Sequence, residues 1–395
     1  MQAAEGITEE NKIMMMLVRI GDENTEKIDS HIQKLCPHLC TQIEVLGKYI
    51  SDTLLNCVSN IPNKPFVYAF ALYTMAEEEH ENVSEIVKEA FSLLCDKINE
   101  GSDATLLMKF FGALADSGYL TATAFEQLLK NLLEFHSKAV EQNKENDYFL
   151  NLALAGYYFG RRSVRDNVEQ GKRPEIETIL ETHINNRPTR TNEYNVFKSV
   201  EFESGISQMW SAILLSYKDN ILFESKLYDL YLRPSRDYIK ELEEKNISKI
   251  ESLPEFKISG NIPFYKSPGC FELFGDRCTE ASNCDKATYA ISRDLLRSTL
   301  LAFQGNPFFT CQKLCGVKNV PMLANLIFDV IFDELLRLPI SSKKSIYYAS
   351  ICVTMVKEFT REDAFEFGPV VGEALQLIFG SGDHVEAGVS TQGLL

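Results

Sequence analysis

The sequence predicts an all-α fold: an α-α superhelix of HEAT-like antiparallel helix pairs, arranged in two helical blocks. Three observations predict it. Apolar residues recur at i, i+3, i+4 and i+7 along most of the chain, which places them on one stripe of a helix. The helical stretches are about 15 to 18 residues long and are joined by short polar loops, as in antiparallel helix pairs. Pairs recur every 40 residues or so, roughly the period of HEAT-type repeats.

The elements follow in order. Ile28, Ile32, Leu35 and Leu39 form one apolar face, and Ile43, Leu46, Ile50, Leu54, Leu55 and Val58 form the next. Pro62 and Pro65 break the chain before a third helix through Val67, Phe70, Leu72 and Met75. Asn82 is placed to cap a helix carrying Val83, Ile86, Val87, Phe91, Leu94 and Ile98, and Gly101 to stop it. Ser102 or Asp103 starts the helix holding Leu107, Phe110, Phe111 and Leu114, which Gly118 ends. Thr121 starts another through Phe125, Leu128, Leu129, Leu132 and Phe135, and Tyr148 to Phe159 is a further apolar segment.

From Arg161 to Arg190 the periodicity weakens and basic residues collect. Helices resume around Ile206 to Tyr217 and Leu227 to Leu232. Asp237 to Ser252 alternates in charge sign, the pattern of a solvent-exposed helix. Pro254 to Asp285 has no clear period and reads as a connection. A second block begins near Ala287; Pro321 opens one of its helices, Pro339 closes it, and Ile346 to Phe359 and Ala364 to Phe379 follow. The expected organisation is a first helical domain over 1–250, a connection over 251–286, part of a second helical domain over 287–380 and an irregular tail over 381–395.

Composition narrows the function. With 40 basic and 56 acidic residues the formal charge is −16. Nucleic-acid binders gain affinity by replacing counterions with Lys and Arg, so this balance disfavours a general RNA or DNA clamp. No apolar run approaches the ~20 residues a membrane span needs, and no membrane partner is expected. The N-terminus lacks the charged start and cleavage site of a signal peptide. Ten cysteines without a C-x-x-C pair fit a reducing compartment, cytosol or nucleus.

Candidate chemistry is sparse. Cys36 with Cys40, and Cys311 with Cys315, are i, i+4 pairs on helices; nothing nearby completes a zinc set, and core packing is the expected role. Cys270, Cys278 and Cys284 are too widely spaced for an ordinary structural zinc site. Glu77, Glu78, Glu79, His80 and Glu81 form an acidic run that does not match H-E-x-x-H. Arg161, Arg162, Arg165, Lys172 and Arg173 are the densest basic cluster, suited to phosphate or to an acidic partner. Asp166 and Glu169 dilute it, and an exposed surface between helices is the competing expectation. No P-loop, dinucleotide fingerprint or nucleophile elbow occurs, and His is scarce at six. No enzyme activity, metal or cofactor is expected.

Four collinear segments carry a family resemblance. They are LVRIGDENTEKIDSHIQKLCPHLC from Leu17, ATLLMKFFGALADSGYLTATAFEQLLKNLLEF from Ala104, CFELFGD from Cys270, and CQKLCGVKNVPMLANLIFDVIFDELLRLPISSKKSIYYASICVTMV from Cys311. Together they resemble the large subunit of the nuclear cap-binding complex over nearly all of Leu17 to Phe379. The first repeat domain of that family is similar to the middle domain of the initiation factor 4G scaffold. The resemblance implies a non-catalytic scaffold in the nucleus, shuttling to the cytoplasm. Its partners would be a small cap-binding subunit of RNA-recognition fold and, through it, capped RNA, together with splicing, export and decay factors. The family's basic import signal has no counterpart in the acidic stretch Met1 to Glu10, and its later repeats are represented only in part. Two alternatives use the same helical design: an initiation-factor-type scaffold that binds an RNA helicase, and a protein that binds RNA directly through Arg161 to Arg173.

Overall fold

The computed structural model describes residues 8–20, 28–62, 64–143, 146–169, 172–187, 201–215, 234–258, 263–264 and 269–272, then 293, 296, 297, 300, 307–315, 323–337 and 342–359. By contacts the chain divides into two units, one made of 1–188 with 231–267 and the other of 189–230 with 268–395.

The first unit is a two-layer stack of helices. α1 (Glu9–Arg19) and α2 (Ile28–Asn60) open it, and α3 (Pro65–Met75) and α4 (His80–Asn99) follow. Next come α5 (Thr105–Ser117), α6 (Ala122–Gln142), α7 (Tyr148–Asp166) and α8 (Glu175–Asn185). α3 packs on α5 and α5 on α7, so alternate helices form one layer, flanked by α2, α4, α6 and α8. Next-but-one packing is what stacking of helix pairs requires. α3 shows why its sequence is apolar on all sides. In α3 every residue except Thr74 is buried, and α5 and α7 are buried over most of their length. A helix apolar all round is a buried one.

Local signals set the ends. Thr121 caps α6 by accepting a hydrogen bond from Ala124 N. Gly118 ends α5 in the left-handed region at φ 86°, a conformation that costs glycine nothing. Asp103 Oδ1 accepts from Thr105 N at 2.8 Å at the start of α5. Two expectations shift. The faces at 28–39 and 43–58 lie on two helical segments of α2 that meet at a kink, but the kink is at Leu46 (φ −116°, ψ 18°), inside the second face, and Pro37 lies within the first segment. Asn82 is inside α4 and bonds back to Glu79 Oε2, while the helix begins at His80.

α5 and α7 meet glycine on glycine. A Cβ on Gly112 of α5 would lie 2.3 Å from Gly156 O and 3.0 Å from Gly160 N of α7. α5 and α7 therefore touch backbone to backbone.

Beyond α8 the first unit resumes with α10 (Arg236–Glu244). The charge alternation there predicts a solvent-exposed helix, and the structure corrects this. Tyr238, Ile239 and Leu242 are buried, and Tyr238 Oη is 2.6 Å from Thr74 Oγ1. The helix stops at Glu244, and the chain then runs extended. Ile250 donates to Tyr119 O and accepts from Thr121 N. The Phe256 ring sits 5.7 Å from both Phe91 and Phe135. Asn146 donates to Pro263 O at 2.7 Å. The stretch expected to begin a connection is thus, over 251–258 and at 263–264, a strap held against α4, α6 and the turn before α7.

α6 and α8 meet through two histidines, His136 and His183, whose Nδ1 atoms are 2.8 Å apart. Beside them Asp147 and Arg187 form a two-pronged pair at 2.7 and 2.8 Å, with Asp147 2 % exposed. Burial, with His183 beside it, pulls His136 down to about 4, and burial lowers His183 too. The native state therefore holds fewer protons than the unfolded chain, whose histidines titrate near ~6.5. Stability is full above that value and falls as pH drops towards 4, by about 3 kcal/mol for His136. Urea midpoints at pH 7 and pH 5 should separate in the wild type and converge in His136→Asn; equal separation would place the acid sensitivity elsewhere.

In the second unit a strand β1 (Glu201–Ser204) pairs antiparallel with β2 (Gly269–Glu272), Phe202 opposite Phe271. The sequence signalled neither strand. α9 (Gly205–Leu215) follows β1 directly and buries Ile206, Trp210 and Ile213. α11 (Pro307–Cys315), α12 (Leu323–Arg337) and α13 (Ser342–Phe359) form the helical block, with α11 against α13 and α12 against β2. Tyr347 of α13 donates to Leu300 O at 2.8 Å and lies 2.9 Å from Thr310 Oγ1 of α11. The helices expected at 227–232 and 364–379, the flanking Pro321 and Pro339, and the tail lie outside the described residues.

Candidate functional site

The basic cluster is built by two helices and the turn between them. Arg161, Arg162 and Arg165 project from the last turns of α7, while Lys172 and Arg173 precede α8. The structure brings the region together, but around a carboxylate. Glu177, in the first turn of α8, is fully buried. It accepts from Tyr157 Oη at 2.5 Å, from Arg165 at 2.8 and 3.2 Å, and from Arg173 at 3.1 Å. Burial disfavours its charge, but the bonds from Arg165, Tyr157 and Arg173 outweigh that and hold it below the usual carboxylate range.

The remaining cations are also engaged. Arg173 reaches Glu181 at 2.6 Å. Arg162 spans Asp116 of α5, donating to its carbonyl at 3.0 Å, and Glu243 of α10 at 3.5 Å. Arg161 is buried, donates to Tyr158 O and lies over the Tyr158 ring, 4.7 Å from its centre. Lys172 pairs with Glu169 in solvent. The cluster thus locks α5, α7, α8 and α10 together, and a phosphate would have to compete with carboxylates already in place.

Sequence reasoning missed Glu177. The spacing of Arg173, Glu177 and Glu181 at i, i+4, i+8 is the signal that could have found it. The geometry separates the five residues by role. Arg165→Ala, which strips two bonds from a buried carboxylate, should cost about 2–3 kcal/mol. Lys172→Ala should stay within about 0.5 kcal/mol. Chemical denaturation of the two variants checks this; equal effects would contradict the assignment.

The first cysteine pair and one member of the second sit in the core. Cys36, Cys40 and Cys311 are buried; Cys36 Sγ faces Ala71 O at 3.4 Å, and Cys40 Sγ faces Met75 O at 3.9 Å. Burial pushes the Cys36 thiol well up and Cys40 to about 11, so neither ionises readily. Cys315's side chain, Cys278 and Cys284 lie outside the described residues. Among the described residues no three His, Cys, Asp or Glu side chains are grouped to hold a metal. No helix among them is long and apolar enough to cross a membrane.

The chain is 22% identical to nuclear cap-binding protein subunit 1 of Caenorhabditis elegans over 387 residues, 88% of this chain and 45% of that protein. The Caenorhabditis briggsae protein of the same name is 20% identical over 95% of this chain and 48% of its own length. This chain resembles the large subunit of the nuclear cap-binding complex. The Arabidopsis thaliana protein of that name is 23% identical over 49% of this chain. No family model matches. The chain spans about half the length of the worm relatives, which are named as cap-binding subunits and not as enzymes.

Proposed function

We propose that this chain is a non-catalytic scaffold of the nuclear mRNA cap-binding complex. It orders a small RNA-recognition subunit that holds the methylguanosine cap, and it recruits splicing, export and decay factors. The observation that carries this is a likeness to named cap-binding subunits over 88% of the chain, with stacked helix pairs described along its first unit. Stacked pairs make a surface that is held in place before a partner arrives, which lowers the entropic cost of ordering that partner. The formal charge of −16 supports capped RNA being held indirectly, by the small subunit. A nuclear location, with shuttling, follows from the same reading. Direct RNA binding through Arg161 to Arg173 is disfavoured by the carboxylates those side chains already meet.

The test is titration of this chain with a purified small cap-binding subunit, with and without a methylated cap analogue. Association together with tighter cap binding is expected. A well-folded chain that neither associates nor raises cap affinity would overturn the proposal.

A further inference from the structure

We propose that the groove between α2 and α4 binds an extended basic peptide, its main chain laid along α2. Past the bend at Leu46 the two helices enclose an open groove of about 510 Å³. Lys48, Asp52, Asn56 and Asn60 line it from α2. Their spacing of four residues puts them in one row on the helix face. Four helical residues advance ~6 Å, and two residues of extended chain advance ~6.6–6.8 Å. Successive rungs of the row therefore meet alternate peptide groups of a strand running alongside.

The chemistry of the rungs suits a main chain. Asn60 Nδ2 donates to Asn56 O at 2.8 Å and to Asn56 Oδ1 at 2.6 Å. That bond sets the two amides side by side. It leaves Asn56 Nδ2 and Asn60 Oδ1, one donor and one acceptor, without a partner among the described residues. A peptide group presents the complementary pair. Ser59 Oγ, also on α2, is buried and has no hydrogen-bond partner among the described residues.

The walls set the sign of the ligand. Lys48 bridges Asp52 at 2.9 Å and Glu89 at 3.4 Å, one positive charge between two negative ones. On α4 the exposed Asp96 carboxylate makes no ion pair among the described residues. The rim carries Asp52, Glu89 and Asp96 against Lys48 and Lys97, and the chain as a whole is at −16. This field attracts cations and repels RNA and acidic peptides. The site uses the first unit alone and does not depend on the cap-complex reading.

The test is fluorescence anisotropy of the full chain with labelled octapeptides of alternating lysine and alanine. Three controls accompany it: the glutamate counterpart, a lysine peptide N-methylated at alternate peptide nitrogens, and oligouridylate. Saturable binding of the lysine peptide alone is expected, weakened about tenfold or more by Asn56→Ala with Asn60→Ala. Both asparagines are exposed, so thermal melting of the double variant should match the wild type. Binding that survives either the double substitution or N-methylation would reduce the attraction to overall charge and overturn the site. So would tighter binding of oligouridylate, or no binding of the lysine peptide.

Discussion

Gly112→Ala should destabilise the first unit by about 3 kcal/mol or more, lowering its melting temperature by roughly 6–12 °C. The added carbon meets backbone: Gly156 O at 2.3 Å and Gly160 N at 3.0 Å, with Phe159 Cβ at 2.8 Å. None of these is the end of a flexible side chain. α5 and α7 must separate, and the layer built by α3, α5 and α7 must move with them. Gly47→Ala is the control. Its added carbon meets nothing nearer than Ile43 Cγ1 at 3.8 Å, and alanine is the better helix former by about 0.5–1 kcal/mol. Thermal unfolding of the two variants should therefore shift in opposite directions. A neutral Gly112→Ala would show that the helix contact is looser than described.

Asp147→Ala is expected to cost about 3–5 kcal/mol, the usual result of leaving a buried charge without its partner. Asp147 sits immediately before α7, and Arg187 lies just past α8; their side chains are 3 % and 9 % exposed. The pair clasps the start of one helix to the end of the next. The reciprocal change, Arg187→Met, removes the other charge. Combined with Asp147→Leu it should recover much of the loss, since an apolar pair avoids the desolvation that a lone charge suffers. A double-mutant cycle by urea denaturation measures the coupling. A coupling near zero would mean that the two charges are satisfied independently.

The layers of the first unit were legible because burial imposes a period. Val83, Ile86, Val87, Phe91 and Leu94 recur along α4 and are all buried. Thr121 and Gly118 marked their helix ends because cap chemistry is local. What escaped has no period or no side chain. Gly112, Gly156 and Gly160 leave no apolar mark, although they set how closely α5 and α7 approach. The strap escaped because extended chain held by Ile250 and Phe256 has no helical repeat. The basic cluster was found as a group of residues. Its role turned on Glu177, a charge that sequence alone places outside the core by default. α10 was misjudged for a related reason: alternating charges hid the apolar row of Tyr238, Ile239 and Leu242.

The strap has a consequence for synthesis. The first unit is discontinuous in sequence, broken off at 188 and completed only by 231–267. A ribosome adding roughly 5–20 residues per second needs about 3–14 s to pass from residue 188 to residue 256. Through that interval α4 and α6 lack the Phe256 ring that later packs between Phe91 and Phe135. Nascent chains stalled before and after residue 256 should therefore differ in protease resistance. A shortened version of this unit keeps its closure only if it carries the returning segment as well as the first 188 residues.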